Sequence, residues 1–327
     1  MTTAARATKV PAMHGDRTLT AKARDAAGRP RGYLLAGQQV KAPPLVPGLH
    51  VVATPIGNLR DVTIRALETL AAADVIACED TRVTRKLVGH YGIVTPLLAY
   101  HDHNAEAARP KILRLLQDGS AVALVSDAGT PLVSDPGYKL VRAAHDAGHA
   151  VTTAPGASSA LAALAVAGLP TDRFAFEGFL PPKAAARRAR AAALARIPAT
   201  LLLFETGPRL AATLSDLADA LGSREAAICR ELTKLYEEVR RGNLETLAAA
   251  YAQEPEPRGE MVIVIGPPAE AAQPTAAEVD GLLRGALVRS SVKDAVAEVA
   301  SITGQPRSEV YRRALALAKV TDDGAPD

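Results

Sequence analysis

A chain of 327 residues with 48% hydrophobic content and only 3% aromatics is long enough for two domains, packed on Ala, Leu and Val rather than on large rings. No apolar run approaches the ~20 residues of a bilayer-spanning helix, and two lone cysteines, Cys78 and Cys229, make neither a disulfide framework nor a metal-ligand pattern, so the expected home is a reducing cytoplasm and no metal is expected. The net charge of +3 is uneven, with eight Lys/Arg against two Asp/Glu in residues 1–48 and 30 against 33 in the remainder, so any nucleic-acid contact must come from local patches on a slightly acidic body.

Residues 1–48 lack apolar periodicity and end in Lys41-Ala-Pro-Pro-Leu-Val-Pro-Gly48, the composition of a disordered basic extension closed by a stiff linker. From Leu49 short apolar runs at 49–53, 75–78, 97–100, 121–125 and 150–153 alternate with helix-length segments such as 61–73 and 106–118. That alternation predicts a mostly parallel, helix-covered sheet over residues 49–168. A helical run at 160–167 stops at Gly168-Leu-Pro170. A second series of strands, at 174–177, 201–205, 226–230 and 261–265, predicts a second α/β lobe over 169–268 with a cleft between the two. After Gly266-Pro-Pro268 and a short linker, residues 276–319 read as a helical module with a Thr-Gly-Gln-Pro turn, the outline of a helix-turn-helix.

The chemistry gathers where strands end, which is where open α/β sheets bind ligands. Ser126-Asp127-Ala128-Gly129-Thr130-Pro131, followed by Ser134-Asp135-Pro-Gly137, offers a carboxylate, hydroxyls and glycines that let a ligand approach the backbone. Pro155-Gly-Ala-Ser158 joins the next strand to a helix, a neighbouring loop. The first strand runs into Pro55-Ile-Gly57-Asn58-Leu-Arg-Asp61, a phosphate-loop position without G-x-G-x-x-G or a Walker lysine. Glu79-Asp80-Thr-Arg82 and His101-Asp-His-Asn104 follow the next two strands. The two histidines lack a third ligand at metal spacing. In the second lobe Phe204-Glu205-Thr-Gly207 opens a helix, and the polar segment Arg230-Glu231-Leu-Thr233-Lys234 follows an apolar strand, where a loop faces the cleft. Lys183, Arg187, Arg188, Arg190 and Arg196 form an acid-free cluster suited to phosphate contacts.

Five of these motifs in order, Pro55-Ile-Gly-Asn-Leu-x-Asp61, Glu79-Asp-Thr-Arg82, Ser126-Asp-Ala-Gly-Thr-Pro131, Ser134-Asp-Pro-Gly137 and Pro155-Gly-Ala-Ser158, resemble the ribosomal RNA small subunit methyltransferase I family of the tetrapyrrole methylase superfamily. The resemblance runs from about Leu49 to Leu317, and no motif departs clearly from the pattern. It implies two α/β lobes of the tetrapyrrole methylase type, S-adenosylmethionine in the cleft, a homodimer, and methylation of a cytidine ribose 2′-oxygen in small-subunit rRNA. Carried over motif by motif, Asp127, Ala128, Gly129, Thr130, Ser134, Pro155 and Ser158 would line the cofactor, with Phe204, Glu205 and Thr233 closing it. Pro55, Gly57, Asn58, His101 and Asn104 would face RNA, joined by Lys183, Arg187 and Arg188.

A ribose hydroxyl is a poor nucleophile, so a base within hydrogen-bond reach is expected from Asp61, Glu79 or Asp80, with Arg82 near the phosphate. Two alternatives stay open from the residues alone: a methylase of the same fold acting on a tetrapyrrole precursor, and a non-catalytic nucleic-acid-binding protein using residues 276–319.

Overall fold

The computed structural model describes residues 31–134, 137–269 and 275–322, with no side chains described beyond 317. Of the extension expected over 1–48, residues 1–30 lie outside the described residues. The remainder corrects that expectation, because residues 32–41 fold as a hairpin of β1 (Gly32–Leu35) and β2 (Gln38–Lys41). Its two-residue turn places Ala36 and Gly37 at φ 49° and 78°, the left-handed pair that matches strand twist in tight hairpins. Tyr33, 1% exposed, inserts into the apolar cluster below. Leu34 N donates to Tyr91 O at 2.7 Å, and Arg31 Nη2 pairs with Asp74 Oδ1 at 2.7 Å.

The first lobe is an all-parallel sheet in the order β5-β4-β6-β3-β7, formed by β3 (Gly48–Val52), β4 (Val75–Cys78), β5 (Leu97–Ala99), β6 (Ala121–Val125) and β7 (Val151–Ala154). Every residue of β6 is buried, as expected when helices cover both faces of a parallel sheet. The intervening helices are α1 (Ile64–Ala72), α2 (Thr81–His90), α3 (Ala105–Gln117) and α4 (Tyr138–Asp146). Apolar clusters around Leu67, Leu70 and Val88 on one side, and Ile112, Leu116 and Leu140 on the other, hold them to the sheet. Burying a Leu or Ile side chain of this kind stabilises by about 1.5–3 kcal/mol.

Helix α5 (Ser159–Ala167) leaves the first sheet and packs on the second: Ala160, Ala163 and Leu164 share a buried cluster with Leu202, Ala227, Val262 and Val264. Gly168 ends it in the left-handed conformation at φ 65°, the common glycine stop. The second sheet runs β11-β10-β12-β9-β8, from β8 (Phe174–Phe179), β9 (Thr200–Thr206), β10 (Glu225–Arg230), β11 (Glu238–Asn243) and β12 (Glu260–Ile265). Only β8 and β9 are parallel; the other pairs are antiparallel. Helices α6 (Ala184–Leu194), α7 (Gly207–Leu221) and α8 (Leu244–Gln253) complete the lobe. Strand β11, Glu-Val-Arg-Arg-Gly-Asn, carries no apolar alternation because it is an edge strand without buried residues.

Helices α9 (Ala276–Leu287), α10 (Val292–Thr303) and α11 (Arg307–Asp322) close on their own core of Val279, Leu283, Val296, Val299 and Val310. Thr275 and Glu278 cap α9 reciprocally, and Gly304 at φ 66° turns α10 toward α11.

Candidate active site

Three loops at the C-terminal ends of the first sheet are tied into one unit. Thr54 and Gly129 exchange backbone hydrogen bonds at 2.8 and 3.0 Å, joining the loops after β3 and β6. Thr130 Oγ1 donates to Ala157 O at 3.1 Å, joining the loop after β7. Between this unit and the second sheet lies a cavity of about 360 Å³. Ile56, Glu79, Asp127, Ala128, Gly129, Thr130, Ser134 and Ser158 line it from the first lobe. Phe179, Phe204, Glu205, Leu232, Lys234 and Met261 line it from the second.

The loop after β6 bends sharply to do this. Gly129 sits at φ 80°, and Leu132 and Ser134, which carry side chains, sit at 75° and 62°. Such residues are held there by their surroundings at a cost of roughly 1–3 kcal/mol each, a pattern that clusters at ligand sites. Opposite, a register shift in β8 puts Gly178 against Ser134, whose Oγ would lie 2.9 Å from any Cβ added at that glycine. Asp135 and Pro136 lie outside the described residues.

The acids differ in their surroundings. Asp80 accepts from Arg82 N at 2.7 Å, capping α2, and pairs with Arg82 Nη2 at 2.6 Å. The Arg82 guanidinium holds its carboxyl down to about 2. Asp127 Oδ1 accepts from Asp80 N at 3.0 Å, yet burial pushes the Asp127 carboxyl above its ordinary value. Glu79 lies on the cavity wall. Glu205, 2% exposed, accepts from Thr206 N at 2.8 Å and Thr213 Oγ1 at 2.6 Å, with Arg209 Nε 3.2 Å away. Its carboxylate therefore braces the β9–α7 corner as well as facing the cavity. Phe204 makes edge-on contacts with Phe176 and Phe179 at ring distances of 4.9 and 5.6 Å, an apolar wall beside those carboxylates.

Several residues singled out in the sequence stand elsewhere. Pro155 is exposed, and Asp61 ends an exposed single turn, Leu59–Asp61; both lie outside the cavity lining, as do Asp80 and Arg82. Thr233 also lies outside it and instead accepts a hydrogen bond from Asn58 N at 3.2 Å. Asn104 braces its own turn, accepting from His101 N at 2.9 Å and donating to Ala99 O at 3.1 Å. Lys183 and Arg188 are exposed. Arg187 corrects the reading of the basic cluster: its guanidinium is buried against Asp216 at 2.6 Å and cannot reach a phosphate. Glu260 and Met261 reach the cavity from the N-terminal end of β12, which runs antiparallel and so carries no strand-end loop signal there, while Phe179 ends β8 beside a register shift.

Residues 48–248 match the family model of the Tetrapyrrole (Corrin/Porphyrin) Methylases, and residues 273–318 match that of the RsmI C-terminal HTH domain. The chain belongs to the tetrapyrrole methylase family. It is 51% identical over 292 residues to the ribosomal RNA small subunit methyltransferase I of Mesorhizobium japonicum, covering 89% of this chain and 99% of that one. Against the same-named protein of Escherichia coli O157:H7 the identity is 44%, covering 82% and 94%. Among solved structures, a conserved hypothetical protein from Aeropyrum pernix K1 superimposes at a TM-score of 0.53 with 20% identity, covering 86% of this chain and all of that one. A cobalt precorrin-4 methyltransferase does so at 0.50 with 17% identity, covering 67% and 94%, which speaks for the fold alone.

Proposed function

We propose that the protein transfers the methyl group of S-adenosylmethionine to the ribose 2′-oxygen of a cytidine in small-subunit ribosomal RNA. The observation that carries this is the meeting of the family's loop motifs on one cavity whose lining holds five carboxylates, Glu79, Asp127, Glu205, Glu231 and Glu260, against one ammonium, Lys234. Lys234 Nζ is itself held by Glu231 and Glu260 at 2.8 and 2.9 Å. A negative, partly apolar cavity fits the sulfonium nucleoside of the cofactor. The relatives at 44% identity and above carry the name of an rRNA methyltransferase, which favours RNA over a tetrapyrrole as the acceptor.

When bound, S-adenosylmethionine supplies an electrophilic methyl on a positively charged sulfur. The chain's own residues do the rest. The 126–134 loop fixes the cofactor's place, and Phe204 and Leu232 exclude water beside it. In-line approach at roughly 3 Å makes positioning a large part of the rate enhancement. Of the three candidate bases, Glu79 alone lines the cavity, so it takes or orients the hydroxyl proton, while Asp80 is committed to Arg82. Exposed Lys183 and Arg188 contact phosphate. The same reading makes the protein a cytoplasmic homodimer, and sedimentation of the purified protein tests the dimer.

The decisive experiment incubates isolated small ribosomal subunits with labelled cofactor and the purified protein, then maps the modified nucleotide. Label on a ribose 2′-oxygen of the rRNA supports the reading. Label on a precursor corrinoid and none on RNA overturns it.

A further inference from the structure

The two lobes touch at the rim of the cavity through a contact that joins the candidate RNA loop after β3 to the turn after β10. Asn58 N donates to Thr233 Oγ1 at 3.2 Å across 175 residues of sequence. Next to it the Lys234 stem lies so close over Gly57 that an added Cβ would meet its Cγ at 2.5 Å and its Cε at 2.8 Å. The stem is pinned at its far end, since Nζ is held between Glu231 and Glu260. The turn itself is strained: Glu231 and Thr233 sit at φ 49° and 66°. For a β-branched residue that is an outlier. It is maintained by Thr233 N donating to Glu237 Oε2 at 2.6 Å and Lys234 N donating to Glu231 O at 3.0 Å.

We propose that this contact is a latch that sets the spacing of the lobes for methyl transfer, with Thr233 and Lys234 as positioning residues; the inference rests on the methyltransferase reading above. Each half of the latch continues directly into a wall of the cavity. Ile56 adjoins Gly57 on one side, and Glu231, Leu232 and Lys234 lie on the other. The strained turn needs a reason to hold its shape, and in that shape Thr233 turns its hydroxyl oxygen toward the partner lobe's amide. The absent side chain at Gly57 is what admits the lysine stem. A shift between the lobes of about 1 Å moves the acceptor loop relative to the methyl donor by the same amount, which is enough to slow a positioned reaction up to ~100-fold.

The test uses Thr233→Val, which keeps the shape and the strain but removes the acceptor oxygen, and Thr233→Ser, which restores it. Cofactor affinity is measured by calorimetry on the protein alone, and kcat and KM on small subunits. The latch requires Thr233→Val to lose roughly 10-fold or more in kcat with cofactor affinity and KM within about twofold, and Thr233→Ser to recover most of it. A second cycle guards against misfolding. Gly57→Ala should slow turnover, and adding Lys234→Ala to it should recover activity relative to Gly57→Ala, because the crowding stem is gone. Wild-type turnover in Thr233→Val, or strictly additive losses at positions 57 and 234, overturns the latch. A wild-type protein that leaves the rRNA unlabelled overturns the functional reading itself, which separates the two failures.

Discussion

Arg187 Nε donates to Asp216 Oδ2 at 2.6 Å, with each side chain only 10% exposed, so α6 and α7 are joined by an ion pair inside the second lobe. Its neighbour Arg188 reaches the same carboxylate only at 3.9 Å and is 61% exposed. Arg187→Ala leaves the buried Asp216 carboxylate with only the more distant Arg188 beside it and should destabilise by about 3 kcal/mol in urea denaturation. Arg188→Ala should change stability by at most ~1 kcal/mol while lowering the salt dependence of RNA binding. Equal stability losses in the two variants contradict this division of roles.

Glu79→Gln should lower kcat by roughly 10²–10⁴-fold if its carboxylate handles the hydroxyl proton. Asp80→Asn retains a good helix cap and should cost much less. A ranking in the opposite order shifts the base to Asp80.

Asp80 is held down to about 2 by Arg82. A carboxyl lowered on folding stabilises the protein above its ordinary value near 3.8, and loses that contribution as the pH falls toward about 2. Asp127 has the opposite sign: burial raises its carboxyl, so its ionisation disfavours the folded state as pH climbs through and past the ordinary carboxyl range. Carbon-detected NMR titration should find the Asp80 midpoint near 2 and that of Asp127 above 3.8; the reverse order refutes the assignment.

Both thiols are fully buried, and burial pushes Cys229 up to about 11 and raises Cys78 as well. Because the thiolate is the reactive form, neither should react with an aromatic disulfide reagent at pH 8 in the native protein. Two thiols should titrate once denaturant is added. Fast native-state labelling of either would mean that its surroundings open.

Tyr33→Ala removes a ring 1% exposed that anchors the hairpin in the core and should cost about 3–5 kcal/mol. The Tyr91 hydroxyl, on the residue whose carbonyl accepts from Leu34, donates to Leu59 O at 2.8 Å. A lower kcat in Tyr33→Ala at temperatures where it remains folded would show the hairpin steadying the loop beside the latch.

What could be read in the sequence followed the strength of its physical signal. The fully apolar Ala-Val-Ala-Leu-Val of β6 announces a buried parallel strand, and the strand is buried throughout, with the glycine-bearing loop after it on the cavity wall. The hairpin was illegible because four-residue strands with one buried ring leave no pattern among Ala, Arg and Pro. Arg187 looked like its neighbours because its partner Asp216 lies 29 residues away on another helix. The motif resemblance points Thr233 at the cofactor, whereas its hydroxyl accepts from Asn58 N, a pairing across 175 residues that no local pattern reveals.

Helix α5 carries a last consequence, in time rather than in space. Its sequence, Ser-Ala-Leu-Ala-Ala-Leu-Ala-Val-Ala, is complete when the first sheet has all its strands, but the surface that covers Ala163 and Leu164 belongs to β9, β10 and β12. Strand β12 emerges roughly 100 residues later, on the order of 5–20 s of synthesis. Until Glu260–Ile265 has been made, Ala163 and Leu164 lack part of their native cover, so a chain stalled before Glu260 leaves this helix face open to solvent.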